Sequence, residues 1–140
     1  MVSDKEAPAS DSEIYSSWSL DKVDDSDKHK VHGGVKKKVT QVSTVTIDQY
    51  AIDENLGKID LIKIDTDGFE LPVLNGAKLT MAQAKPVILF EVGLYLLKEH
   101  KRNIESYFQF FEEFNYKIET LKGHCVTRDN YSKHIPAQST

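Results

Sequence analysis

The chain has 140 residues, 39% of them hydrophobic, and a formal net charge of -4. That is one domain's worth of soluble chain, without the broad cationic field that nucleic-acid binding uses. A single cysteine, Cys125, excludes an internal disulfide and a Cys-rich zinc site, and suits a reducing cytoplasm. The acidic opening "MVSDKEAPASDSEIYSS" has no apolar centre and is neither signal peptide nor anchor, and no apolar run approaches the roughly 20 residues that span a bilayer.

Along the chain, residues 1–38 read as a variable, loop-rich segment and residues 39–140 as the ordered domain. In the first part, "SEIYSSWSL" has the strand formers Ile14, Tyr15 and Trp18, and "DKVDDSDKHKVHGGVKKK" reads as an exposed charged loop. "VTQVSTVTI" then predicts a strand with a possible bulge, with Val39, Val42, Val45 and Ile47 inward. A short helix follows, capped by Thr46 or Asp48 and ended by Gly57. "IDLIKIDT" and "PVILFEVG" are continuous apolar runs, the pattern of parallel strands covered on both faces. Between them Gly68 makes a turn, Pro72 opens a short helix, Asn75-Gly76 stops it and "AKLTMAQAK" forms another.

A longer helix is expected over 103–114, burying Ile104, Phe108 and Phe111, with Tyr107 and Phe114 widening the face. "YKIETL" and "HCVTRDNY" predict a terminal antiparallel pair around Lys122-Gly123, with Cys125 a core thiol. The order is α/β.

Asp65 and Glu91 end the two apolar strands, and Asp67 and Glu70 lie in the turn after the first. In open α/β sheets ligands bind beyond the carboxyl ends of the strands. These acids therefore line a ligand edge, or else Asp67 caps the following helix while Asp65 and Glu70 complement its positive end. A calcium loop aligned on Gly68 fails, because Lys63 and Leu74 fall at its first and last ligand positions. An aspartate-nucleophile phosphatase is a weaker rival, since Phe69 stands where a Thr is expected. His29 and His32 read as loop residues rather than a metal pair, Lys36 to Lys38 as a solvated run, and no metal is required.

Lys63, Ile64, Asp65, Asp67, Gly68, Glu70, Leu74, Gly76 and Ala77, followed by a strand ending in Glu91, resemble the carboxyl-terminal half of an FkbM-family S-adenosylmethionine-dependent methyltransferase. Thr46, Ile47 and Asp48 resemble the turn after the family's preceding strand, and Val2 to Ala7 its Ser-Asp segment. Asp67 stands where Glu is commoner. The resemblance implies a partial Rossmann-like class I methyltransferase fold, with parallel strands and a carboxyl-terminal antiparallel hairpin. It implies Asp65, Asp67, Glu70 and Glu91 as catalytic or pocket acids, and Ser3 and Asp4 beside the cofactor. The family's glycine-rich cofactor loop and ribose-binding acid have no counterpart in these 140 residues, and "HGGVKKK" follows no strand and opens no helix.

The expectation is therefore a truncated chain, inactive alone. Its intact form would use S-adenosylmethionine to methylate a hydroxyl on a small-molecule or glycan acceptor. The alternative is a non-catalytic remnant or interaction module. No nucleic-acid or membrane partner is expected. The "IDLIKID" strand would expose an edge open to self-association, unless the strand from Val39 covers it.

Overall fold

The computed structural model describes residues 2–16 and 35–137. Trp18, His29 and His32 lie outside them. Two strands, β1 (Ala7–Ser16) and β2 (Val35–Thr44), pair antiparallel. The register shifts between Ala7 and Ser12, and Gln41 in β2 takes φ 56°, so the expected irregularity is present. The second strand starts at Val35 and stops at Thr44, short of Ile47, which opens a helix.

That helix, α1 (Ile47–Asp53), is capped by Thr46, whose hydroxyl accepts from the Gln49 N–H at 3.0 Å. It ends before Gly57, with Asn55 taking the left-handed conformation at φ 48°. Next come β3 (Leu61–Ile64), α2 (Glu70–Asn75), α3 (Lys78–Ala84) and β4 (Val87–Phe90). Strands β3 and β4 pair parallel, Leu61 with Val87 through Ile64 with Phe90. Two helices, α4 (Leu94–Glu99) and α5 (Glu105–Glu113), and a 3-10 turn (Tyr131–Lys133) follow among the described residues.

One core cluster joins Ile64 of β3 to Val73, Leu74, Ala77 and Met81 of the α2–α3 region, to Leu97 of α4, and to Tyr107, Phe110 and Phe111 of α5. Phe108, on the flank of α5, packs instead with Val126 and Ile135. The result is a mixed α/β fold with one small parallel and one small antiparallel sheet.

Three expectations are corrected. The parallel strands are covered on one face only: Leu61 is 58% exposed and Val87 66%. Alternating exposure along β4 shows why: Ile88 and Phe90 pack on the core while Val87 and Leu89 face away. The terminal hairpin is a single bridge, Glu119 with Cys125, around a turn at Lys122-Gly123. Cys125 is exposed rather than a core thiol, because Val126 takes the inward position. Among the described residues no helix is long and apolar enough to cross a membrane.

Candidate functional site

Parallel pairing puts the carboxyl ends of β3 and β4 at one edge, and the Glu91 N–H on the Ile64 carbonyl, at 3.3 Å, ties those ends together. Asp65 leaves the sheet there. Its side chain is 52% exposed and meets the Lys63 ammonium at 2.7 Å. Glu91 is also exposed.

Asp67 and Gly68 follow with φ 49° and 98°, two successive left-handed residues. A β-carbon at Gly68 would lie 2.5 Å from His100 Cδ2, so glycine is needed for space as well as for φ. The helix after the turn has Phe69 at its N-cap and no side-chain cap, so Asp67 does not cap it. Among the described residues the Asp67 carboxylate accepts no hydrogen bond.

Glu70 holds the turn from beneath. It is 1% exposed. One carboxylate oxygen accepts from the Thr66 N–H (3.2 Å), the Thr66 hydroxyl (3.1 Å) and the Gly68 N–H (3.0 Å). The other accepts from the Tyr107 hydroxyl at 3.2 Å. Burial first, and the Glu70 charge second, push the Tyr107 phenol well above its ordinary range. With both oxygens engaged and turned inward, Glu70 supports the loop; it does not line a pocket.

From above, the turn is held by two residues that sequence reasoning missed. Arg102 donates to the Gly68 carbonyl, and His100 Nε2 lies 3.1 Å from the Asp67 carbonyl. Phe69 packs edge-on against the His100 ring, with centroids 4.7 Å apart, and under the Arg102 guanidinium at 4.9 Å. Both partners lie more than thirty residues away in sequence, and no local pattern marks them.

Asp48, weighed as a cap of α1, instead accepts from Leu79 N–H (2.9 Å), Thr80 N–H (2.8 Å) and the Thr80 hydroxyl (2.7 Å), and so caps α3. Ser3 donates to Asp4 at 3.0 Å, and the Ser3 backbone is bound to Val45. A β-carbon at Gly76 would strike the Ser3 carbonyl at 2.1 Å, which places this segment against the end of α2. Thus Asp65, Asp67 and Glu91 mark the sheet edge and its turn, Glu70 lies beneath the turn, and no hydrogen bond or ion pair among the described residues links Ser3 or Asp4 to any of them.

Among the described residues, cavities also lie away from that edge. One of about 490 Å³ runs between Glu6–Pro8, Ser43–Val45, Gln49 and Asp53, and one of about 370 Å³ lies between α5 and the Lys117–Asp129 region. Among the described residues no three His, Cys, Asp or Glu side chains converge as a metal site.

Residues 3–118 match the Methyltransferase FkbM domain family. The chain belongs to that family. No curated protein and no solved structure matches it. Membership in the FkbM family makes this a methyltransferase domain, and such domains generally use S-adenosylmethionine. The groups described do not form a complete site for that cofactor. They offer carboxylates at one sheet edge but no glycine-rich turn of backbone N–H groups to receive a methionine carboxylate.

Proposed function

We propose that this chain supplies the acceptor side of an S-adenosylmethionine-dependent O-methyltransferase, acting in the cytoplasm on a hydroxyl of a sugar or natural-product-like acceptor. The match to the FkbM domain over residues 3–118 carries the reading. The exposed carboxylate of Asp65, at the shared carboxyl end of β3 and β4, supports it. Asp65 orients the acceptor hydroxyl and accepts its proton, the work a positioned carboxylate does in general base catalysis. Asp67 and Glu91 border the acceptor. Glu70 keeps the Thr66–Phe69 turn in shape through Thr66, Gly68 and Tyr107. Ser3 and Asp4 stand towards the cofactor.

The first test is calorimetry of the 140-residue chain with S-adenosylmethionine. Binding weaker than micromolar is expected, because the glycine-rich turn is not among these residues. Micromolar or tighter binding would overturn the assignment to the acceptor side. The second is transfer of a labelled methyl group to polyhydroxylated acceptors by the chain mixed with a separately produced cofactor-binding half of an FkbM enzyme. Incorporation that is lost with Asp65→Asn supports the reading, and no incorporation into any acceptor opposes it.

A further inference from the structure

Past residue 118, where the family match ends, the chain makes two turns whose neighbours pack on α5. The first closes around Lys122-Gly123: the Thr120 N–H bonds the His124 carbonyl at 2.9 Å, and the His124 N–H returns to the Thr120 hydroxyl at 3.1 Å. The second is the 3-10 turn Tyr131–Lys133, where the His134 N–H bonds the Tyr131 carbonyl at 3.0 Å. Between them the Asn130 side chain donates to the Cys125 carbonyl at 3.0 Å and ties one turn to the other. Each turn thus fixes a histidine backbone. The two imidazoles come to 5.6 Å between ring centres, with planes 24° apart. His124 is exposed and His134 half-buried, so solvent reaches the pair.

That separation is a chelating one. Two imidazoles on one tetrahedral ion, at metal–nitrogen distances of about 2.0–2.1 Å, hold their ring centres about 5–6 Å apart. Side-chain rotation aims both lone pairs at one point, and backbones already fixed lose little freedom on binding. Imidazole selects zinc, nickel and copper over magnesium and calcium, which prefer oxygen ligands. No third His, Cys, Asp or Glu converges on the pair among the described residues, so water takes the remaining positions.

We propose that His124 and His134 together bind one late first-row divalent cation, which cross-links the Lys122-Gly123 turn to the 3-10 turn. The consequence is mechanical. Val126 and Ile135, close to the two ligands in sequence, pack on Phe108 of α5, and the Pro136 carbonyl accepts from the Leu94 N–H at 2.8 Å. A bridged pair pins this segment onto α4 and α5. The inference rests on the two turns and does not depend on methyl transfer.

Calorimetry with zinc sulfate is the test. The chain has five histidines, so a His29→Ala, His32→Ala background removes the other closely spaced pair. That background binds one zinc ion per chain with micromolar affinity, and zinc raises its melting temperature, as a ligand of the folded state does. His124→Ala and His134→Ala each weaken binding by more than about tenfold and abolish the melting shift. Even groups behind the ligands are worth about 10–100-fold in metal affinity, and a ligand is worth no less. Magnesium chloride gives neither heat nor shift. No zinc binding by the background, or binding that survives either substitution undiminished, overturns the proposal. If a variant does not fold, nuclear magnetic resonance of the background decides. Its His124 and His134 ring signals move together as zinc is added if they share the ion; if they stay fixed, the rings are merely stacked and the proposal fails.

Discussion

The Tyr107 hydroxyl donates to Glu70 at 3.2 Å, and both side chains are fully buried. This contact joins α5 to the turn at the end of β3, so α5 holds the loop that carries Asp67. Removing the Glu70 carboxylate leaves the Thr66 and Gly68 N–H groups and the Tyr107 hydroxyl without their acceptor. A buried unsatisfied group costs about 1–3 kcal/mol, so Glu70→Ala is expected to be among the most damaging substitutions. Glu70→Gln retains an oxygen for the loop donors and turns its amide towards Tyr107, which accepts instead. Urea titration of both variants should place Gln far closer to the parent chain than Ala.

The same contact predicts a response to alkali. The Tyr107 phenol is held above its ordinary value of 10.0 by burial and by the Glu70 charge. The folded state therefore binds the phenolic proton more tightly than the unfolded state does. Stability from this group is fully present below pH 10 and falls as pH rises through the folded value, with a limiting slope of about 1.4 kcal/mol per pH unit. Tyr116 is shifted in the same direction by desolvation. Melting temperatures between pH 9 and 11 should drop steeply in the parent chain and less steeply in Tyr107→Phe.

On the acid side, Arg128 lies between Glu105 and Glu112, and its hydrogen bonds hold both carboxyls below their ordinary values. Depressed carboxyls contribute stability above their unfolded value of 4.5, and that contribution is lost as pH falls through the folded values. These side chains are about half exposed, so the effect is small and screened by salt. Arg128→Ala should cause a small loss of melting temperature at neutral pH and low ionic strength, a loss that vanishes as pH falls below 4.5, so that the variant's acid profile is flatter.

Asp65 and Asp48 separate site from scaffold. Asp65 is half exposed and its ion pair with Lys63 is a surface one, so Asp65→Asn should change stability by no more than about 0.5 kcal/mol. Asp48→Ala removes the acceptor for three donors at the start of α3 and should cost about 0.5–2 kcal/mol. Chemical denaturation of the two variants side by side checks the contrast. A large loss from Asp65→Asn would make that residue structural.

What was legible in the sequence was local. The apolar runs around Leu61–Ile64 and Val87–Phe90, the stop at Asn75-Gly76 and the aromatic face of α5 are set by neighbouring residues, and all appear. Continuous apolarity, however, does not say which face is covered, and Leu61 and Val87 turned out exposed. The α4 helix was missed because Gly93 opens it without a side-chain cap. Glu70 was grouped with Asp65 because they are neighbours in sequence. Its partner Tyr107 comes from another helix, and only packing shows that this acid points inward.

The clash across the turn permits a sharper test. Gly68 combines φ 98° with a β-carbon position 2.5 Å from His100. Gly68→Ala therefore suffers both backbone strain and steric overlap, while His100→Ala removes the overlap and the contact to the Asp67 carbonyl. If the two residues touch as described, their effects are not additive. Once His100 is gone, alanine at position 68 retains the φ strain but loses the collision. A double-mutant cycle should give a coupling within about 0.5–3 kcal/mol, with the double variant more stable than the sum of the singles predicts. Additivity within error would mean that the His100 ring does not cover this turn, and would remove the support assigned to Asp67.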